Sequence, residues 1–472
     1  MNRRQFLATT AALPLAAQNS NRPNVLFVIS DDLDCRIGCY GDPVARTPNL
    51  DALAARGVRF HRAYCQYPLC NPTRSSVLSG RYPVSTGVLD NNTWLALEAG
   101  QATLPRYFES QGYATAEFGK VWHGPNRGFT PSDPPPKNPA WSTPAERRRQ
   151  QQDDPAYWET NATPYRNMRP PNPQQFGWAN VYGPLPEGDP GVDAPIADKA
   201  VAEMRRLAAA GKPFFLSVGF NRPHVPLTAP KKYFDMFSVE EMRLPPDFDT
   251  EPRQLAGYPR DEFRANIDLF AARSFTSLEA REAMRAYYAC TAYMDEQVGR
   301  LLAELRALNL DSNTIIVFFG DHGWHLSEKG MWAKGTLFET SARGPLMIAD
   351  PRLTGGATCE RTVQYLDMAP TLVDLCGLPR ATWHEGTSLS PLLRNPRASW
   401  DRPAYTFQTR GWFLGRSVRT ERWRYTEWDE GRRGSALFDH QSDPHEMRNL
   451  AGEAAHAGTV NEMKKLLRQV RS

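Results

Sequence analysis

Two apolar runs, each followed by acidic residues, constrain the fold of this 472-residue chain more than any other feature. The run at 24–30 reads NVLFVIS and leads directly into Asp31 and Asp32. The run at 314–320 reads TIIVFFG and leads into Asp321 and then a histidine. A continuous apolar, β-branched run is typical of a strand buried on both faces of a parallel sheet. The two runs therefore predict strands of one such sheet.

Helical patterns alternate with these runs along the chain. A third apolar run lies at 214–220. An amphipathic stretch at 195–210 precedes this run, and another at 280–308 precedes the run at 314–320. Alternation of strands and helices predicts an α/β fold with a large, mostly parallel sheet flanked by helices. We assign this catalytic α/β domain to residues 21–395.

The chain changes character after residue 395. Short aromatic, β-prone stretches such as WRYTEW follow, and a helical pattern begins at about 457. This composition predicts a small C-terminal subdomain at 396–472, built on a short antiparallel sheet.

Two further segments stand apart from the predicted domains. Residues 1–20 carry a twin arginine, a short apolar run and small residues in that order, which predicts a removable twin-arginine export signal and a periplasmic or secreted protein. The alternative is a disordered terminus that contains two arginines. Residues 131–190 are proline-rich and have little periodicity, which predicts a long irregular insertion. This insertion either walls a substrate pocket or lies on the surface.

Composition excludes several classes of protein. The net charge of +4 is small for this length, which argues against a nucleic-acid binder. Beyond the export signal, no segment has the roughly 18 apolar residues that a membrane span requires, so we expect no stable membrane insertion. The seven cysteines are odd in number, and a chain that folds before export does not require a disulfide framework. One cysteine is therefore available for a separate role.

The acidic residues at the strand ends predict a metal site. In an open α/β sheet, ligands bind beyond the carboxyl ends of the strands. Asp31, Asp32 and Asp321 would all lie there, and carboxylate oxygens suit calcium or magnesium. His322 is a less usual ligand for such ions, which prefer oxygen. The alternative is that these aspartates only cap helices or form turns.

The segment Cys70-Asn71-Pro72-Thr73-Arg74 carries the second signal. Proline at 72 suits the first turn of a helix, and Ser75 to Gly80 can continue it, so Cys70 is predicted to lie at the helix N-terminus. Free backbone N–H groups and the helix dipole favour anions at that position. A cysteine there is otherwise a thiol of low pKa or a buried small side chain.

The pattern C-x-P-x-R, followed by small residues and Gly-Arg, resembles the signature of the type I, formylglycine-dependent sulfatases. Further motifs of that family follow in the expected order: G-K-V-W-H at 119–123, R-P-H-V-P at 222–226, G-D-H-G-W-H-L at 320–326 and A-K-G at 333–335. The resemblance covers nearly the whole chain and is closest to the iduronate-2-sulfatase subgroup. It implies an alkaline-phosphatase-like sandwich and hydrolysis of a sulfate ester.

The resemblance also implies a cofactor set and a division of roles. A calcium ion is expected on Asp31, Asp32, Cys70, Asp321 and His322, and Cys70 is expected to be oxidised to formylglycine by a formylglycine-generating or anaerobic sulfatase-maturing enzyme. One hydroxyl of the hydrated aldehyde attacks the ester sulfur, and the other, once deprotonated, expels sulfate. Arg74 and Lys120 would hold the anion, His123 would be the base, and His224 and Lys334 would bind the ester oxygen and protonate the leaving alcohol. The implied substrate is a sulfated oligosaccharide or polysaccharide, with 2-O-sulfated uronic acid as the favoured unit.

Two other functions stay open at this level. Sulfate and phosphate esters are close in shape, so a phosphodiester or phosphonate monoester hydrolase of the same superfamily is one alternative. An inactive relative that binds sulfated glycans is the other, with C-terminal aromatic residues such as Trp412, Trp423 and Trp428 stacking on sugars. His325 either faces the pocket or caps a turn.

Overall fold

The computed structural model describes residues 22–123, 182–271 and 273–470. The predicted export signal and residues 131–181 of the predicted insertion lie outside the described residues. The strands are β1 Asn24–Asp31, β2 Val58–Tyr64, β3 Ala114–Gly119, β4 Tyr182–Pro184, β5 Phe214–Pro223, β6 Leu227–Ala229, β7 Thr314–Gly320, β8 Leu346–Ala349, β9 Ala357–Gln364, β10 Ala404–Arg410, β11 Phe413–Arg419, β12 Trp423–Trp428 and β13 Ser435–Asp439.

The α-helices of the described residues are α1 Pro48–Arg56, α2 Cys70–Ser79, α3 Pro83–Thr86, α4 Leu104–Ser110, α5 Ala194–Ala209, α6 Lys231–Phe234, α7 Ser277–Ala307, α8 Glu339–Ala342, α9 Met368–Leu375, α10 Ser390–Arg394 and α11 Ala457–Leu467. The helices predicted at 195–210 and 280–308, and the one beginning at about 457, are thus confirmed to within a few residues. None of the helices in the described ranges is both long and apolar enough to cross a membrane.

The main sheet has seven strands in the order β3-β5-β1-β7-β8-β2-β9. Six of them run in one direction, and β8 is antiparallel to both of its neighbours. The predicted mostly parallel sheet is therefore confirmed, and the two runs that end in acidic residues lie side by side as β1 and β7.

Strand β1 explains why the sheet needs helices on both faces. All eight of its residues are buried. Phe27 packs into the core on one face, and Val28 packs into the core on the other. Because burial of such a side chain is worth about 1.5–3 kcal/mol, an uncovered face would be costly. Helices α5 and α7 cover the Val28 face, and α4, α9 and α10 cover the Phe27 face.

Helix α2 confirms the prediction that Cys70 lies at a helix N-terminus. Cys70 is itself the first helical residue, so the helix begins two residues before Pro72, the expected first position. Pro72 is tolerated at the third position because the first four N–H groups of a helix have no acceptor within it. Asn71 is held by its side chain, whose Nδ2 donates to the backbone carbonyls of Asp90 and Thr93 at 2.8 Å each.

The C-terminal part of the chain forms the predicted antiparallel sheet, with strands β10 to β13 in sequential order. Helix α11 packs on it through Val460 and Met463, against Val418 and Tyr425. Tyr425 and Trp428 are fully buried and therefore serve packing and not sugar stacking, whereas Trp412 is 87% exposed. All seven cysteines are free.

Candidate active site

The site lies where four parallel strands end at one edge of the main sheet. Ser30 of β1 is in register with Gly320 of β7, so Asp31 and Asp321 follow at the same level. Lys120 follows β3 directly, and His224 follows β5. Because these strands are parallel neighbours, residues distant in sequence converge at this edge, as predicted for an open α/β sheet.

The aspartates are oriented by the backbone at the strand ends. Asp32 has a left-handed conformation with φ of 58°. Its N–H donates to Asp321 Oδ1 at 3.0 Å, and its carbonyl accepts from the Tyr287 hydroxyl at 2.8 Å. This kink ends the alternation of the strand, and it allows Asp31 and Asp32 to face the same cluster instead of opposite sides of the sheet.

Cys70 lies between two ammonium groups. Its Sγ is 3.5 Å from Lys334 Nζ and 3.9 Å from Lys120 Nζ, and the residue is buried. Lys120 pairs with Asp31, and Lys334 pairs with Asp32 at 2.8 and 2.9 Å to its two oxygens. Burial opposes the charge of Lys334, but Asp32 overcomes it and holds the pKa of the Lys334 ammonium well above its ordinary value. The position next to Cys70 is therefore suited to an anion.

A close backbone approach places Lys120. An ideal Cβ added at Gly219 would lie 2.1 Å from the carbonyl carbon and oxygen of Lys120, so glycine alone fits there without movement. The Lys120 N–H donates to the Gly219 carbonyl at 2.8 Å, which continues the pairing of β3 with β5 beyond the strand end.

Arg74 joins the two acidic strand ends. It lies one turn after Cys70 on α2 and is buried. Its Nη2 is 2.9 Å from both Asp31 Oδ1 and Asp321 Oδ2, and its Nη1 donates to the Lys120 carbonyl. A buried guanidinium needs such partners, because removing an unpaired charge from water costs on the order of several kcal/mol.

His224 faces the same cluster in a defined tautomer. Its Nδ1 lies 2.6 Å from the Val225 carbonyl, which can only accept, so Nδ1 carries a proton. Its Nε2 lies 3.8 Å from Asp32 Oδ2 and 4.0 Å from Asp31 Oδ2. Burial, with the charges of Lys334 and Lys120, holds the pKa of His224 well below its ordinary value. The ring is therefore neutral and presents the Nε2 lone pair to the cluster.

The predicted metal ligands fall into two overlapping groups of possible ligand atoms, one of which also contains His224, a residue not predicted as a ligand. The ligand atoms of Asp31, Asp32, Cys70 and His224 lie within 4.8 Å of one another, as do those of Cys70, Asp321 and His322. His322 donates from Nδ1 to the Gly323 carbonyl at 3.0 Å, while its buried Nε2 has no hydrogen-bond partner among the described residues. Burial would lower the pKa of His322, but Asp321 and the other negative charges raise it to about 9. The cluster thus favours additional positive charge, which a cation supplies.

His123 is the last described residue before the gap at 124–181. Burial, reinforced by the charge of Lys120, lowers the pKa of His123 to about 3. Its Nδ1 is buried without a hydrogen-bond partner in the described part of the chain. A neutral imidazole near Lys120 and Asp31 is able to accept a proton.

His325 lies outside this cluster. Its Nε2 is 2.8 Å from Thr336 Oγ1, and its ring packs edge-on against Phe338. The structure therefore assigns His325 a structural position. Sequence reasoning also missed three charged residues next to Lys334: Arg264, Asp268 and Arg410. No motif or spacing marks them, because Arg264 and Asp268 lie in one loop and Arg410 lies at the end of β10, far away in the chain.

The fold and site define a class of protein: a hydrolase of alkaline-phosphatase-like fold, with a cation-compatible acidic cluster and buried basic groups for an anionic ester. A model of the sulfatase family matches residues 23–378, and a model described as N-sulphoglucosamine sulphohydrolase, C-terminal, matches residues 327–472. Iduronate 2-sulfatase of Mus musculus is 29% identical to the chain over 550 residues, which cover 96% of each protein.

Two solved structures share the fold. One is a phosphonate monoester hydrolase of Agrobacterium radiobacter, with a TM-score of 0.75 and 24% identity over 95% of both chains. The other is in complex with its substrate D-glucosamine-2-N,6-O-disulfate, with a TM-score of 0.71 and 23% identity over 95% of this chain and 97% of that one. The chain belongs to the sulfatase family, whose members are sulfuric ester hydrolases.

Proposed function

We propose that the protein releases sulfate from a 2-O-sulfated uronic acid at the end of a polysaccharide, through a formylglycine made from Cys70. The observation that carries the reaction centre is the position of the Cys70 sulfur between the ammonium groups of Lys120 and Lys334 at the metal-compatible strand ends. Similarity to iduronate 2-sulfatase over 96% of the chain favours the uronic acid. The rival substrates are phosphodiesters and phosphonate monoesters.

The contacts of the charged residues indicate a separate role in the reaction for each of them. Arg74 and Lys120 hold the anion and the hydrated side chain at position 70, because both present fixed positive charge there. Lys334 is the proton donor to the leaving alcohol, since its ammonium is charged. His224 lies in the same cluster but does not donate a proton to the leaving alcohol, because its Nδ1–H is donated to the Val225 carbonyl.

His123 is assigned as the base. With a pKa lowered to about 3 its ring is uncharged at neutral pH and has a nitrogen lone pair, but a low pKa makes a weak base, so the G-K-V-W-H motif at 119–123 and not the pKa supports this role. The hydrated aldehyde supplies a nucleophile and an internal means of expelling sulfate, which an unmodified thiol lacks.

Calcium is the proposed metal, held by Asp31, Asp32, Asp321, His322 and the modified residue 70. Such an ion polarises the nucleophile and the sulfate oxygen when bound. Four of these protein groups come from the ends of β1 and β7, so the site needs little rearrangement to form.

Calcium removal gives a direct test of this assignment. Chelation is expected to abolish turnover and to lower the melting temperature, with both restored by calcium. A ligand at about 100 times its Kd adds about 2.7 kcal/mol to the stability of the state that binds it. His322→Ala should lose the calcium-dependent rise in melting temperature, whereas His325→Ala, equally buried but outside the cluster, should keep it. An equal calcium-dependent rise in melting temperature in the two variants would contradict the assignment of His322 as a calcium ligand.

The substrate is tested on protein from the native host, which supplies its own maturation enzyme. Peptide mass spectrometry across Cys70 should show the aldehyde in place of the thiol. We then expect sulfate release from an oligosaccharide with a terminal 2-O-sulfated uronic acid, with kcat/KM above that for a phosphodiester of similar size. Good turnover of another sulfated sugar without release from this end would refute the uronic acid, and preference for the phosphodiester would refute the sulfatase assignment.

Export by the twin-arginine signal at 1–20, and thus a periplasmic or secreted location, belongs to the same proposal. An enzyme that degrades a sulfated polysaccharide needs to meet it outside the cytoplasm.

A further inference from the structure

Two arginines lie next to the catalytic lysine, Lys334, and form no ion pair with a carboxylate of the described residues. Arg264 donates from Nη1 to the Lys334 carbonyl at 2.7 Å, and Arg410 donates from Nη2 to the Gly335 carbonyl at 2.7 Å. Arg410 also donates to the backbone carbonyls of Asp261 and Thr409. Within the described residues neither guanidinium forms an ion pair, although most buried or half-buried arginines of this protein do.

The local backbone leaves room for this pair. Gly335 has a φ of +80°, and an ideal Cβ there would lie 2.5 Å from Arg264 Nη1. A side chain at position 335 would therefore displace Arg264. Both arginine residues are half-buried, and the Arg410 guanidinium lies over the Trp428 ring, 5.0 Å from its centroid.

The neighbouring acids offset this charge only in part, because Glu262 and Asp261 act to raise the pKa of Arg410 but do not outweigh burial and the charge of Arg264. The Asp261 carboxylate is bound to Arg433 at 2.8 Å. Burial raises the pKa of Glu262 to about 7, so this group is only partly ionised at neutral pH, and it accepts from the Thr426 hydroxyl. Asp268 acts on Lys334, whose pKa it helps to raise.

The positive charge of Arg264 also acts on the pKa of Arg410. Burial and the nearby charge of Arg264 lower the pKa of Arg410 to about 10. An anion between the two guanidinium groups would relieve this repulsion and supply the missing carboxylate or sulfate oxygens.

We propose that Arg264 and Arg410 form a second anion subsite, which binds another acidic group of the same substrate while its sulfate ester occupies the centre at Cys70. The ligand chemistry is an oxyanion on the sugar, either a uronic acid carboxylate or a second sulfate. This subsite rests on the proposed function, since it assumes a sulfated sugar at Cys70. It also selects for substrates with two negative charges over simple sulfate esters.

Measuring ligand binding to a variant that cannot turn over substrate tests the subsite separately from catalysis. In the Cys70→Ala protein, calorimetry would compare a disaccharide with a terminal 2-O-sulfated uronic acid, its carboxyl-reduced counterpart, a disulfated glucosamine and inorganic sulfate. Adding Arg410→Gln should weaken binding of a doubly charged ligand about tenfold, as expected for loss of a charge-assisted hydrogen bond, and weaken inorganic sulfate distinctly less. Arg410→Lys should recover part of the loss, because it keeps the charge but not the fork.

Arg264→Gln provides the second variant in case Arg410→Gln folds poorly, since its described bonding is a single contact to the Lys334 carbonyl. Arg432→Gln is the matched control, because Arg432 is exposed in the same subdomain and bound to Asp429. It should leave every affinity unchanged.

The ligands distinguish the two sources of the anion. A loss seen with the uronic acid disaccharide but not with its carboxyl-reduced counterpart identifies the carboxylate, and a loss confined to the disulfated sugar identifies a second sulfate. An equal loss for all ligands, inorganic sulfate included, or no loss for any, overturns the subsite. Absence of sulfate release by the mature Cys70 enzyme, with charge-dependent binding retained, would refute the proposed function and leave the subsite standing.

Discussion

Replacing Cys70 with alanine is expected to reduce sulfate release by at least about a thousandfold, because removing a nucleophile removes the reaction path and not merely one contact. The folded structure should survive. Cys70 is a small buried residue at the start of α2, and its described polar contacts are only the long approaches of Lys120 and Lys334. The measurement is sulfate release from a sulfated disaccharide, with the melting temperature recorded in parallel.

A serine variant separates the aldehyde from an ordinary nucleophile. A serine ester of sulfate has no second hydroxyl to expel the sulfate, so only water can cleave it. Cys70→Ser is therefore expected to release alcohol in a single burst and then stall with sulfate on the protein. Cys290→Ala, which alters a buried core thiol outside the site, is the control and should keep turnover. Steady turnover by Cys70→Ala would refute the assigned nucleophile.

The second large effect is expected on stability, at the junction between the two sheets. Arg424 of β12 is fully buried, with Nη2 at 2.5 Å from Glu339 Oε2 and Nε at 2.7 Å from Glu446 Oε1. The Glu339 N–H in turn donates to Glu446 Oε2 at 2.8 Å. Glu339 begins α8, shortly after Lys334, so this network ties the C-terminal subdomain to the active-site loop.

Replacing Arg424 with methionine leaves two buried carboxylates without their main partner. Breaking a buried ion pair from one side costs about 3–5 kcal/mol, and we expect a loss of that order in the free energy of unfolding measured with urea. Arg422→Met is the control, because the Arg422–Asp439 pair lies in the same sheet but the Arg422 side chain is about half exposed. A similar small loss in both variants would show that the network contributes little to stability.

The Glu339 network contains a second group of side chains with metal-ligand spacing. The ligand atoms of Glu339, His440 and Glu446 lie within 4.8 Å of one another. Arg424 and Arg419 supply positive charge there, at 2.5 and 3.3 Å from Glu339 Oε2, as Arg74, Lys120 and Lys334 do in the cluster at Cys70. The two clusters differ in their histidines, because His440 Nε2 lies 3.0 Å from Glu446 Oε1, whereas His322 Nε2 has no hydrogen-bond partner among the described residues.

Much of the catalytic centre was predictable because its information is local. A short apolar, β-branched run favours a buried strand, and residues that follow parallel strands meet at one edge. For that reason Asp31, Asp32 and Asp321 converge as expected, whereas Lys120 was expected there only from the family resemblance. Cys70 lies at the N-terminus of α2 as expected, and only the helical conformation of Asn71 was not anticipated, since the carbonyls that hold Asn71 belong to a loop whose course the sequence pattern does not reveal.

By itself, the sequence determined the family and the residues around Cys70, because motif spacing encodes them within short segments. It also determined that Asp31, Asp32 and Asp321 follow buried strands, because the apolar runs before them are local. Tertiary structure alone decided which charges remain without partners. Arg264 and Arg410 meet beside Lys334 although about 150 residues separate them, and Arg424 pairs with Glu339. Charge pairing depends on distances between packed loops and strands, and these distances follow from the packing of the whole chain and not from any local pattern.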